Sequence, residues 1–279
     1  MTDVTPEASA MTRAQKRAAA AKELTVDPVP EMALQPLVTI AVLALSGLLT
    51  ISAFAGPVLL AVAVALTAGI IAWGWTGLLG LPSPRGTAFV LAVGSVAAIG
   101  TVLATRTDPY LAWMPAALAG SMIVAFIHQL ARRDGRPRLV ESVSSNITAI
   151  AIVVSGAALV ALPRTPHGDW VVALSSSAVA MSALTDLVGG SRRLRAWLLP
   201  LAMVAGGTVS LVLGVKLGAV DWGPSLLLGV LAAGVSHAVR RALAMLPAIS
   251  GPRSQLVSAS ASVLSGGVVV YVVGRFFLG

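Results

Sequence analysis

LQPLVTIAVLALSGLLTISAFAGPVLLAVAVALTAGIIAWGWTGLLG, residues 34 to 80, contains no charged side chain. About 20 apolar residues in a helix cross a hydrocarbon core of roughly 30 Å. Here two such runs are joined by little more than Ala55-Gly56-Pro57. The stretch therefore predicts a tight hairpin of two membrane-spanning helices. The rest of the 279-residue chain has the same character, with 57% hydrophobic and 11% charged residues and a mean hydropathy of +0.90. Soluble domains carry roughly 25% charged residues, so the composition is that of an integral membrane protein. Pro, Gly and charge divide the remainder at the expected lengths. The spans fall near 34–54, 56–80, 86–106, 110–131, 143–162, 169–188, 197–217, 223–245 and 255–277. The fold class is an all-α polytopic transmembrane bundle of about nine spans occupying residues 33–279.

Lys and Arg concentrate in cytoplasmic loops, and this tests the count. One set of loops holds Arg13, Lys16, Arg17, Lys22, Arg85, Arg132, Arg133, Arg136, Arg138, Arg192, Arg193, Arg195, Arg240, Arg241 and Arg253. The other holds Arg106, Arg164, Lys216 and Arg275, so fifteen of the 19 basic residues lie on one side. That asymmetry predicts an odd number of spans, with the N-terminus in the cytoplasm and the C-terminus outside. Trp73, Trp75 and Trp197 flank the basic loops, and Tyr110, Trp113, Trp170 and Trp222 the others, as expected of interfacial anchors. Residues 1–32 are polar and lack the apolar core and cleavage site of a signal peptide, so they read as a mobile cytoplasmic tail. The net charge of +8 follows from topology, and no nucleic-acid partner is expected. There is no cysteine, which excludes disulfides, thiolate catalysis and Cys-ligated metal. Usage rich in Ala, Val, Leu, Gly and Arg with little Lys points to a bacterial plasma membrane, with the chain multi-pass.

FIHQLARRDGRPRLVESVSSN, residues 126–146, falls in one basic loop. Orientation explains Arg132 and Arg133. It does not explain His128 inside one span end, or Glu141 leading into the next. Thr185 and Asp186 close the sixth span before GGSRRLR, and Ser236 and His237 precede Arg240 and Arg241 in the eighth. Ionisable groups within spans generally face the bundle interior. His128, Glu141, Asp186 and His237 are therefore expected to form a polar pocket open to the cytoplasm. Arg132, Arg133, Arg136, Arg138, Arg192 and Arg193 are the candidate phosphate contacts, because a guanidinium fork pairs bidentately with phosphate. There is no GxSxG elbow, HExxH or Walker loop.

AWGWTGLLGL at 72–81, the run from AFIHQLARRDGRPRLVESVSSN to ALTDLVGG, and LLLGVLAAGVSHAVRRALAMLP resemble the phosphatidate cytidylyltransferases (CDP-diacylglycerol synthases), actinobacterial type. The resemblance is architectural and covers most of residues 34–279. It implies a CTP-dependent transferase acting on phosphatidate through divalent metal and aspartates. The chain departs from that pattern where the family carries Lys-Asp, Pro-x-His-Gly-Gly, Asp-Arg and a further Asp. The corresponding segment is LPAISGPRSQLVSASASVLSGG, without a carboxylate or lysine. The family's acidic residue of the sixth span falls near Met181, and Asp186 replaces it only after a shift; Asp186 is thus the one candidate catalytic residue. Nucleotidyl transfer needs a hard cation held by carboxylates, and only Glu141 and Asp186 are placed for it. The expectation is a degenerate, non-catalytic relative that binds an anionic phospholipid or a partner membrane protein, or pairs with a second copy. No metal site and no cofactor are expected, Mg²⁺ entering only if the chain is an active transferase with a site rearranged around Glu141 and Asp186. The same residues also fit a transporter with Lys216, His237 and Asp186 along its pathway, and the dense small residues fit a structural subunit.

Overall fold

The computed structural model describes residues 35–133, 135, 138–188 and 195–278. The expected N-terminal tail lies outside these residues, as do Arg136, Arg192 and Arg193. Within the described residues ten α-helices follow one another: α1 (Pro36–Phe54), α2 (Pro57–Leu79), α3 (Pro84–Ala104), α4 (Met114–Ala131), α5 (Leu139–Ala158), α6 (Gly168–Asp186), α7 (Leu198–Lys216), α8 (Trp222–Leu243), α9 (Pro252–Leu264) and α10 (Gly267–Leu278). Prolines open α1, α2, α3 and α9, where the missing N–H is one the helix could not have paired. The α1–α2 hairpin turns on Gly56 at φ +110°. Gly80, in the left-handed conformation, closes α2, with Leu81 N–H returning to Thr76 O at 2.9 Å.

Contacts at helix ends show that the rods alternate in direction. At one end Arg138 of the α4–α5 loop reaches the carbonyl of Gly80, Ser83 meets His128, Thr39 meets Ala183 and Arg253 lies over Trp73. This is called the basic end below. At the far end Phe54 packs edge-to-face on Trp170 with ring centroids 5.0 Å apart, and Arg275 pairs with Asp108 at 2.7 Å. Arg164 also sits there, donating to the carbonyls of Val102 and Thr105 that end α3, at 3.0 and 2.8 Å. Large apolar side chains such as Ile51, Val96 and Phe126 point outward, the reverse of a water-soluble surface.

Among the described residues, eight helical segments are long and apolar enough to cross a membrane. Two expected spans proved more complex. The fifth passes from α5 into a 3₁₀ turn, Leu159–Arg164, containing Pro163. The ninth, expected as one helix, breaks between α9 and α10. The expected sixth span is helical but is not among the eight. Its nineteen residues rise about 28 Å and run antiparallel to α1 from one end to the other, as the Phe54–Trp170 and Thr39–Ala183 contacts show. Its apolarity falls short because neighbouring helices enclose it, and Ser175, Ser176 and Ser182 are buried. The hydroxyls of Ser175, Ser177, Ser182 and Thr185 each donate to a carbonyl three residues earlier in the helix.

The break in the last span is bridged from α5. Ser155 Oγ donates to Ser265 O at 2.8 Å and accepts the Val268 N–H at 3.1 Å. A side chain at Gly267 would overlap the Ser155 carbonyl, so glycine lets the two interrupted spans touch backbone to backbone. The α7–α8 pair is similarly close: a Cβ on Gly229 would lie 2.6 Å from Ser210 Cβ. Replacing Ser155 with Ala leaves a part-buried donor and acceptor of the broken span unmatched, a loss of about 1–3 kcal/mol. Thermal unfolding in detergent should place Ser155→Ala below the parent, with helix content unchanged at low temperature.

Candidate functional site

The last turn of α6 and the last two turns of α8 meet at the basic end. On α8, Ser236 and Arg240 are one turn apart and His237 lies beside them, so all three share a face. Arg240 is buried, and its guanidinium is matched on three sides. Nε donates to Asp186 Oδ2 at 2.7 Å, one terminal nitrogen to Ser236 Oγ at 2.6 Å, and the other to Ser182 Oγ at 2.8 Å. Asp186 keeps 29% of its side chain exposed. The α6 macrodipole is unfavourable for a carboxylate at its C-terminus, and the guanidinium offsets it. His237 Nδ1 lies 2.8 Å from Asp186 Oδ1, but off the axis of a well-formed hydrogen bond, and among the described residues Nε2 is buried without a hydrogen-bond partner.

A second set of contacts joins α2, α3, α4 and α5. Arg138, in the left-handed conformation before α5, pairs with Glu141 and donates to Gly80 O at 2.7 Å. This locks the start of α5 to the end of α2. Buried Arg132 donates to Gln129 Oε1 at 2.9 Å and approaches Ser142 Oγ at 3.5 Å. His128 Nε2 is 3.4 Å from Ser83 Oγ, and its ring lies so close to Gly86 that any side chain there would overlap it. Trp75 Nε1 donates to Ser145 O at 3.1 Å.

Of the four residues expected to share one pocket, Asp186 and His237 come together, with Arg240 as a partner that sequence reasoning does not assign to them. Glu141 and His128 belong instead to the α2–α5 contacts. Of the expected phosphate contacts, Arg132 and Arg138 are engaged within the protein, while Arg133 is exposed. Sequence reasoning notes Asn146 only among the polar residues that lead into the fifth span and assigns it no role. It is fully buried, and among the described residues neither of its amide atoms has a hydrogen-bond partner, nor do Gln129 Nε2 and Ser145 Oγ. Among the described residues, no group of three or more His, Asp or Glu side chains could hold a metal ion. Glu141 and Asp186, the carboxylates expected to serve a transferase, each face a guanidinium. Arg85, Arg133, Arg241 and Arg253 remain exposed at this end, which is therefore cationic.

Removing one member of a buried ion pair strands the other. Arg240→Met should lower stability by about 3 kcal/mol, toward the low end of the buried range because Asp186 is partly exposed. Combining it with Asp186→Leu should restore most of that loss, as read from unfolding midpoints of the single and double variants. Asn146→Leu should match or exceed the parent's midpoint, because it removes a buried amide with no hydrogen bond to lose.

Comparisons of the chain with protein-family models, with curated proteins and with solved structures find no match.

Proposed function

We propose that the chain is a nine-span plasma-membrane protein, with its basic end in the cytoplasm and its C-terminus outside, that holds an anionic phospholipid there without converting it. The observation that carries this reading is the pairing at the basic end. Glu141 and Asp186 are each neutralised by an arginine. That leaves exposed guanidinium groups, and neither of these two carboxylates is free to share a hard cation. Arginine at headgroup depth pairs with lipid phosphate through its fork of donors. The resemblance to phosphatidate cytidylyltransferases supports a site for a phosphate-bearing lipid, and the missing C-terminal signature supports binding without transfer.

The test is to purify the chain in mixed micelles and weigh the intact complex by native mass spectrometry with phosphatidate or phosphatidylcholine present. Phosphatidate should be retained in preference, and the same preparation with CTP and Mg²⁺ should yield no CDP-diacylglycerol. Product that disappears in Asp186→Asn would replace this reading with an active transferase. The orientation is checked separately, since the absence of native cysteine makes single-cysteine labelling direct. A cysteine at Met245 should react with a membrane-impermeant maleimide only in inverted vesicles, and one at Asp221 only in intact cells.

A further inference from the structure

The outer face of α2 carries a groove lined by Val62, Ala65, Leu66, Gly69, Ile70 and Trp73. Val62, Leu66 and Trp73 stand out from the bundle as walls. Ala65 and Gly69 form the floor, and a Cβ added to Gly69 would meet nothing within 4 Å. From Val62 to Trp73 the groove runs eleven helical steps, about 17 Å, or roughly half the hydrocarbon thickness. It is a shallow, open apolar face with the length of one leaflet, along which an extended hydrocarbon chain can lie.

A cation stands at its basic end. Arg253, from the first turn of α9, lays its stem across Gly74, where a Cβ would come within 3.2 Å of Arg253 Cγ. Its guanidinium stacks over Trp73, 4.3 Å from the ring centroid, and one terminal nitrogen donates to Trp73 O. The residue remains exposed, and among the described residues no carboxylate pairs with it. The remaining N–H donors of the fork sit at the level where Trp rings meet headgroups, directly above the groove.

We infer that this groove and Arg253 form a site for one anionic glycerophospholipid, an acyl chain lying along Val62–Trp73 and the phosphate on the Arg253 guanidinium. The inference rests on the proposed lipid-binding reading and gives it a place. Charge separates this occupant from a second copy of the chain. A two-fold pair about the membrane normal would set the same patch against itself, bringing two Arg253 guanidinium groups together with no carboxylate between them.

The test uses the full chain in detergent with palmitoyl-oleoyl phosphatidylglycerol or phosphatidylcholine, and counts retained lipid by native mass spectrometry. Two variants probe different halves of the site. Arg253→Gln removes the cation, and Gly69→Leu fills the groove floor at a position with no neighbour to displace. The parent should retain phosphatidylglycerol over phosphatidylcholine. Arg253→Gln should abolish that preference, about a tenfold change for 1.4 kcal/mol, and Gly69→Leu should lower retention of both lipids. If the parent shows the preference and both variants keep it, the groove is not the site, although the broader reading survives on other arginines. A parent without preference overturns the lipid-binding reading itself. Conversion of a dimeric parent to a monomer by Gly69→Leu, with lipid retention unchanged, would assign the groove to a second copy and overturn the inference.

Discussion

A backbone N–H or C=O has no water to turn to inside a bilayer, so each must be satisfied by the protein. Among the described residues two spans are irregular: the α9–α10 break is bridged by a side chain from α5, and the 3₁₀ turn after α5 supplies a side chain that closes the end of α3. The Ser155 hydroxyl serves one carbonyl and one N–H on either side of the α9–α10 break. Arg164, at the end of the 3₁₀ turn that finishes α5, turns its guanidinium onto the open carbonyls of α3 and lies 5.4 Å from the Tyr110 ring centroid. The α6 serines obey the same constraint locally by folding back onto their own helix, which lets a polar sequence pass through the middle of a membrane bundle.

Charge is handled in a comparable way. Arg240 is held by Asp186 and two serines, and Arg138 by Glu141 and a helix-ending carbonyl. Each fixes one pair of helices, α6 to α8 and α5 to α2. An ion pair in a low-dielectric surround is weak support for stability, because desolvation offsets much of the attraction. Its clearer effect here is registry: the fork of Arg240 fits Ser182, Asp186 and Ser236 only at one relative height of α6 and α8. The arginines left outside these pairs give the basic end its positive charge.

How much of the structure is legible in the sequence follows from how local each determinant is. The α1–α2 hairpin is legible because its two lengths and its Gly-Pro turn lie within one continuous stretch. Arg138 and Glu141 stand three residues apart, a spacing that already suggests contact at a helix start. Asp186 and His237 can be singled out as polar groups at the ends of apolar runs. Their common partner Arg240 cannot be assigned, because it lies 54 positions from Asp186 and sequence alone does not fix which helices are neighbours. The break at Ser265-Gly266 is hidden for the same reason, its bridging hydroxyl being 110 residues away and its small residues being ordinary for a packed membrane helix. Asn146 gives no sign of its burial, since sequence alone does not fix which helices cover its face.

The enclosure of α6 bears on how the protein is made. A segment entering the bilayer from the insertion machinery is sorted by its own apolarity, and α6 has four serines and an aspartate at each end of its nineteen residues. Its neighbours α1, α7 and α8 supply the surroundings that its sequence does not ask of lipid. Placing it in a bilayer would therefore be collective, depending on α1 ahead of it in the chain and on α7 and α8 behind, the helices it packs against. For this segment, insertion is expected to be coupled to tertiary folding.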